Sequence, residues 1–204
     1  VPFAIKKSKE DITFSRNISN KLSKEEIINK AFRFHSQGNI SEAAKYYQNF
    51  IAQGFTDPRV FSNYGIILKD LGKLQDAEFS FRKSIEIKPD FADAHSNLGV
   101  LLNDLGKLKE AELSYRKAIK IKPDFAEAHS NLGNILKDIG KLQNAELSTR
   151  KAIEIKPDYA EAHSNLGNIL KDIGQLEEAE LSYRKAIEIK PDYAEVHSNL
   201  GVLL

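Results

Sequence analysis

Apolar residues along most of the chain recur at spacings of three and four. Ala128, Leu132, Ile135, Leu136 and Ile139 form one such stripe, which predicts a helix with one buried face. A second stripe, Leu142, Ala145, Thr149, Ala152 and Ile153, follows and stops at Pro157, where the missing N–H ends a helix. Polar positions between the stripes supply the punctuation. Gly140 is placed to take the left-handed conformation that closes the first helix. In Pro157-Asp158-Tyr159-Ala160-Glu161, Asp158 is predicted to accept from free backbone N–H groups while Glu161 reaches back, a capping box that Asp124 with Glu127 and Asp192 with Glu195 repeat. Ser23 with Glu26 opens the first such helix in the same way. The pattern therefore predicts helical hairpins, each a helix A followed by a helix B.

The hairpins recur with a period of 34 residues. The string His-Ser-Asn-Leu-Gly begins at His95, His129, His163 and His197, and a relative begins at Phe61. Self-similarity at this period predicts an all-α solenoid of antiparallel helix pairs. Its complete repeats run 24–57, 58–91, 92–125, 126–159 and 160–193, with a partial sixth over 194–204 and an N-terminal arm, 1–23, in front. Glycine in mid-helix costs about 1 kcal/mol relative to alanine, yet it recurs in helix A as Gly65, Gly99, Gly133, Gly167 and Gly201. Ala145 and its equivalents Ala77, Ala111 and Ala179 are predicted opposite it, so that two backbones approach closely and gain packing.

Composition and charge narrow the function by exclusion. Thirty basic residues against 29 acidic ones leave a charge of +1, so no general attraction to nucleic acid or to an anionic membrane is expected. Only the arm is basic. There is no cysteine, which removes disulfides, thiolate metal sites and cysteine nucleophiles. No apolar run nears the roughly 20 residues of a membrane span, and a cytoplasmic location is expected. The chain opens at Val1, has no methionine and stops at Leu204 inside a patterned segment, which suggests a piece of something longer. No nucleophile constellation, phosphate loop or metal motif is present, so no enzyme activity and no cofactor are expected of this chain. One histidine per repeat is read as core filler, because zinc ligands must converge to about 2 Å of one ion.

Small or aliphatic residues at Leu132, Gly133, Leu136, Ala145 and Ala152, with Pro157 and the aromatic Tyr183, make the repeat resemble the tetratricopeptide repeat. Its phrasing, Ala-Glu-Ala-His-Ser-Asn-Leu-Gly-Asn and Tyr-Arg-Lys-Ala-Ile-Glu-Ile-Lys-Pro-Asp-Tyr, is similar to the superhelical repeat domain of O-GlcNAc transferases and their bacterial relatives. Three departures stand out: histidine at the fourth position of helix A, Thr149 in the aromatic slot of the fourth repeat, and Phe55 in the first repeat where proline is usual.

The resemblance implies a right-handed superhelix whose helices A line the concave face. In the fourth repeat its inward positions would be Glu127, Ser130, Asn131, Asn134, Lys137 and Asp138. Asparagine holds the sixth position of every repeat: Asn29, Asn63, Asn97, Asn131, Asn165 and Asn199. Two readings of that row stay open. A carboxamide offers donor and acceptor together, so the row can pair with successive amides of an extended peptide, and O-GlcNAc transferases carry such a row. Alternatively each asparagine bonds the neighbouring hairpin. The candidate ligand-binding set is Asn63, Asn97, Asn131, Asn165 and Asn199, with Asn134 and Asn168, and the charged Lys69, Lys137, Lys171, Asp138 and Asp172. A two-carboxylate clamp of the kind found in chaperone-binding repeats is disfavoured, since Ser130, Glu161 and Glu195 occupy its cationic positions. The expected partner is a protein or peptide held along the concave helix-A surface. The alternatives are the substrate-recruiting region of a larger glycosyltransferase and a self-associating solenoid. For the last, Val196, Leu200, Val202, Leu203 and Leu204 lie on a helix A with no helix B after it, and end-to-end contacts through 194–204 are expected.

Overall fold

The computed structural model describes residues 22–204, so nearly all of the basic arm predicted over 1–23 lies outside the described residues. The described residues form eleven α-helices and no strand, an all-α solenoid of helix pairs. They divide into two compact units, one up to Pro89 and the other over 90–204. None of the helices is long and apolar enough to cross a membrane.

The first unit holds α1 (Lys24–Ser36), α2 (Ile40–Ala52), α3 (Pro58–Asp70) and α4 (Leu74–Ile87). The capping box predicted at Ser23 is present: Glu26 N–H donates to Ser23 Oγ at 3.2 Å and Ser23 N–H to the Glu26 carboxylate at 2.7 Å. Ile27, Ala31, Ala43, Tyr47 and Phe50 are fully buried between α1 and α2. Phe55 stands where later repeats have proline and packs its ring 5.4 Å from that of Phe50, so an apolar contact replaces the rigid turn. Pro58 then sits at the first turn of α3, where its absent N–H costs nothing, and the Asp57 carboxylate accepts from Arg59 N–H at 2.9 Å.

The second unit holds α5 (Ala92–Asp104), α6 (Leu108–Ile121), α7 (Ala126–Asp138), α8 (Leu142–Ile155), α9 (Ala160–Ile173), α10 (Leu176–Ile189) and α11 (Ala194–Leu203). The predicted stripe is buried in α7 at Ala128, Leu132, Ile135 and Leu136, and in α8 at Ala145, Thr149 and Ala152. Gly140 takes φ +78° just past the end of α7, as the pattern predicts.

The capping boxes predicted at Asp124, Asp158 and Asp192 do not form. The helices begin one residue later than those boxes require, at Ala126, Ala160 and Ala194, with Phe125, Tyr159 and Tyr193 at the cap and no side-chain cap bond. Two other contacts hold this turn. A lysine ammonium lies over each cap ring, Lys122 over Phe125 at 4.6 Å, Lys156 over Tyr159 at 4.9 Å and Lys190 over Tyr193 at 4.7 Å. The histidine four residues on donates from Nε2 to the proline carbonyl, His129 to Pro123 at 3.0 Å, His163 to Pro157 at 2.9 Å and His197 to Pro191 at 2.8 Å. Core filler is thus the wrong role for these three, which are solvent-accessible ties; His95 alone of the series is buried.

The recurring glycine makes room for a side chain more than for a backbone. A Cβ at Gly167 would meet the Tyr183 ring at 2.5 Å, at Gly99 the Tyr115 ring at 2.8 Å and at Gly65 the Phe81 ring at 2.7 Å. In the fourth repeat Thr149 lies over Gly133 instead, its Oγ1 in the space a Cβ would fill, and the Ala145 carbonyl comes second at 3.2 Å. The close-approach reading through alanine is corrected accordingly: the notch seats the aromatic of helix B.

The final helix also departs from expectation. Val196, one of the five apolar residues expected to drive association, is fully buried within its own chain in a cluster with Leu166, Leu170, Ala179, Tyr183 and Ala186. Leu200 and Leu203 are half-buried against that cluster, and only Val202 and Leu204 of the five stand in water. The preceding hairpin offers an apolar face that a lone helix A can cover.

Candidate functional site

At about 100° per residue, Asn131, Asn134 and Asp138 fall within about 60° of one another on α7, centred on the side away from Leu132 and Leu136, with the buried Ile135 at the edge beside Asn131. Asn131, Asn134 and Lys137 are half-buried and Asp138 is exposed. The same holds in α9 for Asn165, Asn168, Lys171 and Asp172, and Asn97 in α5 is half-buried. In the first unit Asn63 and Lys69 of α3 are half-buried and Asn29 of α1 is exposed.

Several of these side chains are engaged within the fold. Asn63 Nδ2 donates to the Tyr47 hydroxyl at 3.3 Å, and His35 Nδ1 lies 3.0 Å from the same oxygen. Burial pushes the Tyr47 hydroxyl up to about 12, against the opposing pull of the Asn63 bond, so the phenol stays protonated. In the last repeats the Tyr183 hydroxyl donates to Asn168 Oδ1 at 2.8 Å, and Asn199 Nδ2 donates to the same oxygen at 3.2 Å. Burial raises Tyr183 as well, and it too remains a donor. The sixth-position asparagine therefore reaches back to the tyrosine of the preceding repeat, directly in α3 and through Asn168 in α11. Where Thr149 removes that tyrosine from the fourth repeat, Asn165 Nδ2 donates instead to Ser130 Oγ at 3.0 Å.

Ser130, expected on the inward surface, is buried at 1% exposure as the acceptor for Asn165. Lys137 pairs with Asp138 at 3.1 Å and Lys69 with Asp70 at 3.4 Å, while Lys171 and Asp172 form no ion pair among the described residues. Sequence reasoning missed the part that Tyr183, Tyr47 and Ser130 play in fixing the asparagines. A signal for the tyrosines exists in principle: a tyrosine in helix B one repeat before an asparagine in helix A. No group of histidine, aspartate and glutamate that could hold a metal occurs among the described residues.

A row of half-buried amides on stacked helix pairs, several of them held by hydrogen bonds from one repeat to the next, defines the class as a helical repeat protein with a polar face on its helices A. Models of the tetratricopeptide repeat match residues 58–91 and 80–112, and models of the TPR repeat match 101–140, 134–174 and 167–204. The chain belongs to the tetratricopeptide repeat family, whose members typically serve as protein-interaction scaffolds. Solved structures share the fold. YrrB, described as a TPR protein with an unusual peptide-binding site, is 23% identical with TM-score 0.71, covering 91% of this chain and 96% of its own. MamA from Desulfovibrio magneticus RS-1 is 22% identical with TM-score 0.72, covering 84% and 97%. The Cut9–Hcn1 hetero-tetramer of APC/C gives TM-score 0.80 at 15% identity, covering 95% of this chain and 39% of that one. No curated protein sequence matches the chain.

Proposed function

We propose that the protein binds extended polypeptide segments along the asparagine face of its helices A, within the second unit through Asn97, Asn131, Asn134, Asn165, Asn168 and Asn199, with Lys137, Lys171, Asp138 and Asp172 at the margin. The observation that carries this reading is the way the amides are held. Asn165 and Asn199 each spend one N–H on the repeat before them, which fixes the carboxamide plane and leaves a second N–H and the carbonyl for a ligand. Pre-set amides reduce the ordering cost of capturing a peptide backbone. Such a face gives hydrogen bonds but few apolar anchors, so affinity should be modest and largely independent of ligand sequence. The unusual peptide-binding site described for the similar YrrB is in keeping with it.

The test is a phage-displayed peptide library panned on the protein, followed by titration of the selected peptides against Asn131→Ala with Asn165→Ala. A loss of about tenfold or more with unchanged helicity is expected. Unchanged binding makes the row purely structural. A second reading, self-association through 194–204, draws on Val202 and Leu204, which are 79% and 78% exposed at the end of the last helix. Sedimentation over a wide concentration range should show weak oligomers that Val202→Asp removes; identical monomers would end that reading.

A further inference from the structure

Helix B leaves one large apolar side chain in water at the same position of four successive repeats. Phe79 is 63% exposed, Leu113 68%, Leu147 69% and Leu181 67%. These residues lie off the stripe that packs the hairpin. In the second unit, Leu147 and Leu181 each wall a groove between neighbouring helices B. The first groove, of about 480 Å³, lies between α6 and α8 and is floored by Leu132 and Leu136 of α7. The second, of about 520 Å³, lies between α8 and α10 over Leu166 of α9.

The two grooves are built from equivalent positions, Ile119 matching Ile153 and Ser148 matching Ser182 for example, so their difference is chemical. It falls at Lys120, where the second groove has Glu154, and at Asn144, where it has Glu178. The second groove balances Arg150 and Lys185 against those two glutamates. The first is lined by Arg116, Lys120 and Lys151 with no carboxylate. Arg116 pairs with Glu112 at 2.9 Å and Lys151 with Glu154 at 2.7 Å, whereas Lys120 has no ion pair among the described residues. Helices α4, α8 and α10 each carry a lysine–glutamate pair three residues apart, Lys83–Glu86, Lys151–Glu154 and Lys185–Glu188, all at 2.7 Å. In α6 that pair is replaced by Lys117 and Lys120. One wall of the cationic groove thus lacks the ion pair its counterparts carry.

This groove is distinct from the asparagine face. On α7, Leu132 and Leu136 lie within about 40° of each other, while Asn131, Asn134 and Asp138 centre on the far side of the helix. We propose that the groove between α6 and α8 is a second docking site, for an acidic polypeptide segment. An aliphatic side chain of the partner seats against Leu147, Leu132 and Leu136, and flanking aspartate or glutamate carboxylates meet Lys120 and Arg116. The apolar floor supplies contact area, and the cationic rim selects the partner and speeds encounter. Nucleic acid fits less well, since no phenylalanine, tyrosine or tryptophan lines the groove to stack a base.

The experiment uses the whole chain and the fluorescein-labelled peptide Asp-Glu-Leu-Leu-Glu-Asp, followed by anisotropy at low ionic strength. Saturable binding of one peptide per chain is expected, weakened about tenfold or more by Lys120→Glu and by Leu147→Asn. Lys120→Glu restores the pair found in the other repeats and Leu147 is exposed, so both variants should fold, which circular dichroism checks. Glu154→Lys with Glu178→Asn gives the second groove the lining of the first and should raise the stoichiometry from one to two. Four outcomes overturn the proposal: no binding of the peptide, binding unchanged by Lys120→Glu, equal binding of Asp-Glu-Ser-Ser-Glu-Asp, or loss only with Asn131→Ala and Asn165→Ala. Lys120-dependent capture of phosphatidylserine vesicles or single-stranded DNA with none of the peptide overturns the partner class.

Discussion

The mid-helix glycines show how one residue type at one repeat position can carry opposite energetic consequences. At Gly167 a Cβ would lie 2.5 Å from Tyr183, whose side chain is fully buried and cannot yield. Overpacking of this kind costs about 1–3 kcal/mol, against a gain in helix propensity of about 1 kcal/mol. Gly167→Ala should therefore destabilise in chemical denaturation. Gly201 occupies the same position with nothing within 4 Å of its Cβ direction, so Gly201→Ala should be neutral or stabilising. A second residue-scale effect concerns His35, whose burial lowers its proton affinity beneath the ordinary value of 6.5, a shift the Asp70 charge only partly opposes. The unfolded chain then binds the proton first, so the stability contributed by neutral His35 is complete above about pH 6.5 and is lost as pH falls through the lower folded value. The melting temperature should fall on going from about pH 7 to pH 5, and less steeply in His35→Gln. Equal slopes in the two proteins would rule this out.

At the scale of the element, two kinds of helix start coexist. Helix α1 is closed by the reciprocal bonds of Ser23 and Glu26, whereas α7, α9 and α11 follow aromatic cap residues and are tied by a histidine to the proline carbonyl six residues earlier. Loss of a capping serine costs about 1 kcal/mol. Ser23→Ala should lower stability by that amount, while Asp158→Ala should stay within about 0.5 kcal/mol of the parent, the usual range for a surface substitution away from a cap. Urea denaturation of both variants checks the contrast, and an equal loss in the two would restore the capping box at Asp158.

For the molecule as a whole, stability in a solenoid is a sum over neighbours. Val196 is fully buried, and its partners belong to α9 and α10. Val196→Ala removes about two methylene equivalents, roughly 1.5 kcal/mol at about 0.8 kcal/mol each. Hydrogen exchange should report the loss in α10 and α11 while leaving α5 and α6 unchanged. Faster exchange spread evenly over the second unit would mean that its repeats unfold as one block.

The repeat length, the helix pairs, their left-handed glycine stops and the buried stripes were legible in the sequence, because helical periodicity and backbone conformation are local properties. The asparagine positions were legible too, and so was the choice between ligand row and structural bond. What those amides do inside the fold was not. The bonds from Asn165 to Ser130 and from Asn199 to Asn168 cross from one repeat to the next, and a one-dimensional pattern cannot show which helices face each other. The same reason hid the ring over Gly167 and the burial of Val196, while the tie from histidine to the proline carbonyl six residues earlier depends on the exact path of the turn, which residue types do not spell out. The sequence by itself determined where each helix lies and which side of it is apolar. Tertiary structure decided which polar groups are consumed in holding repeats together and which are left for a partner, since that depends on contacts between residues some 30 positions apart.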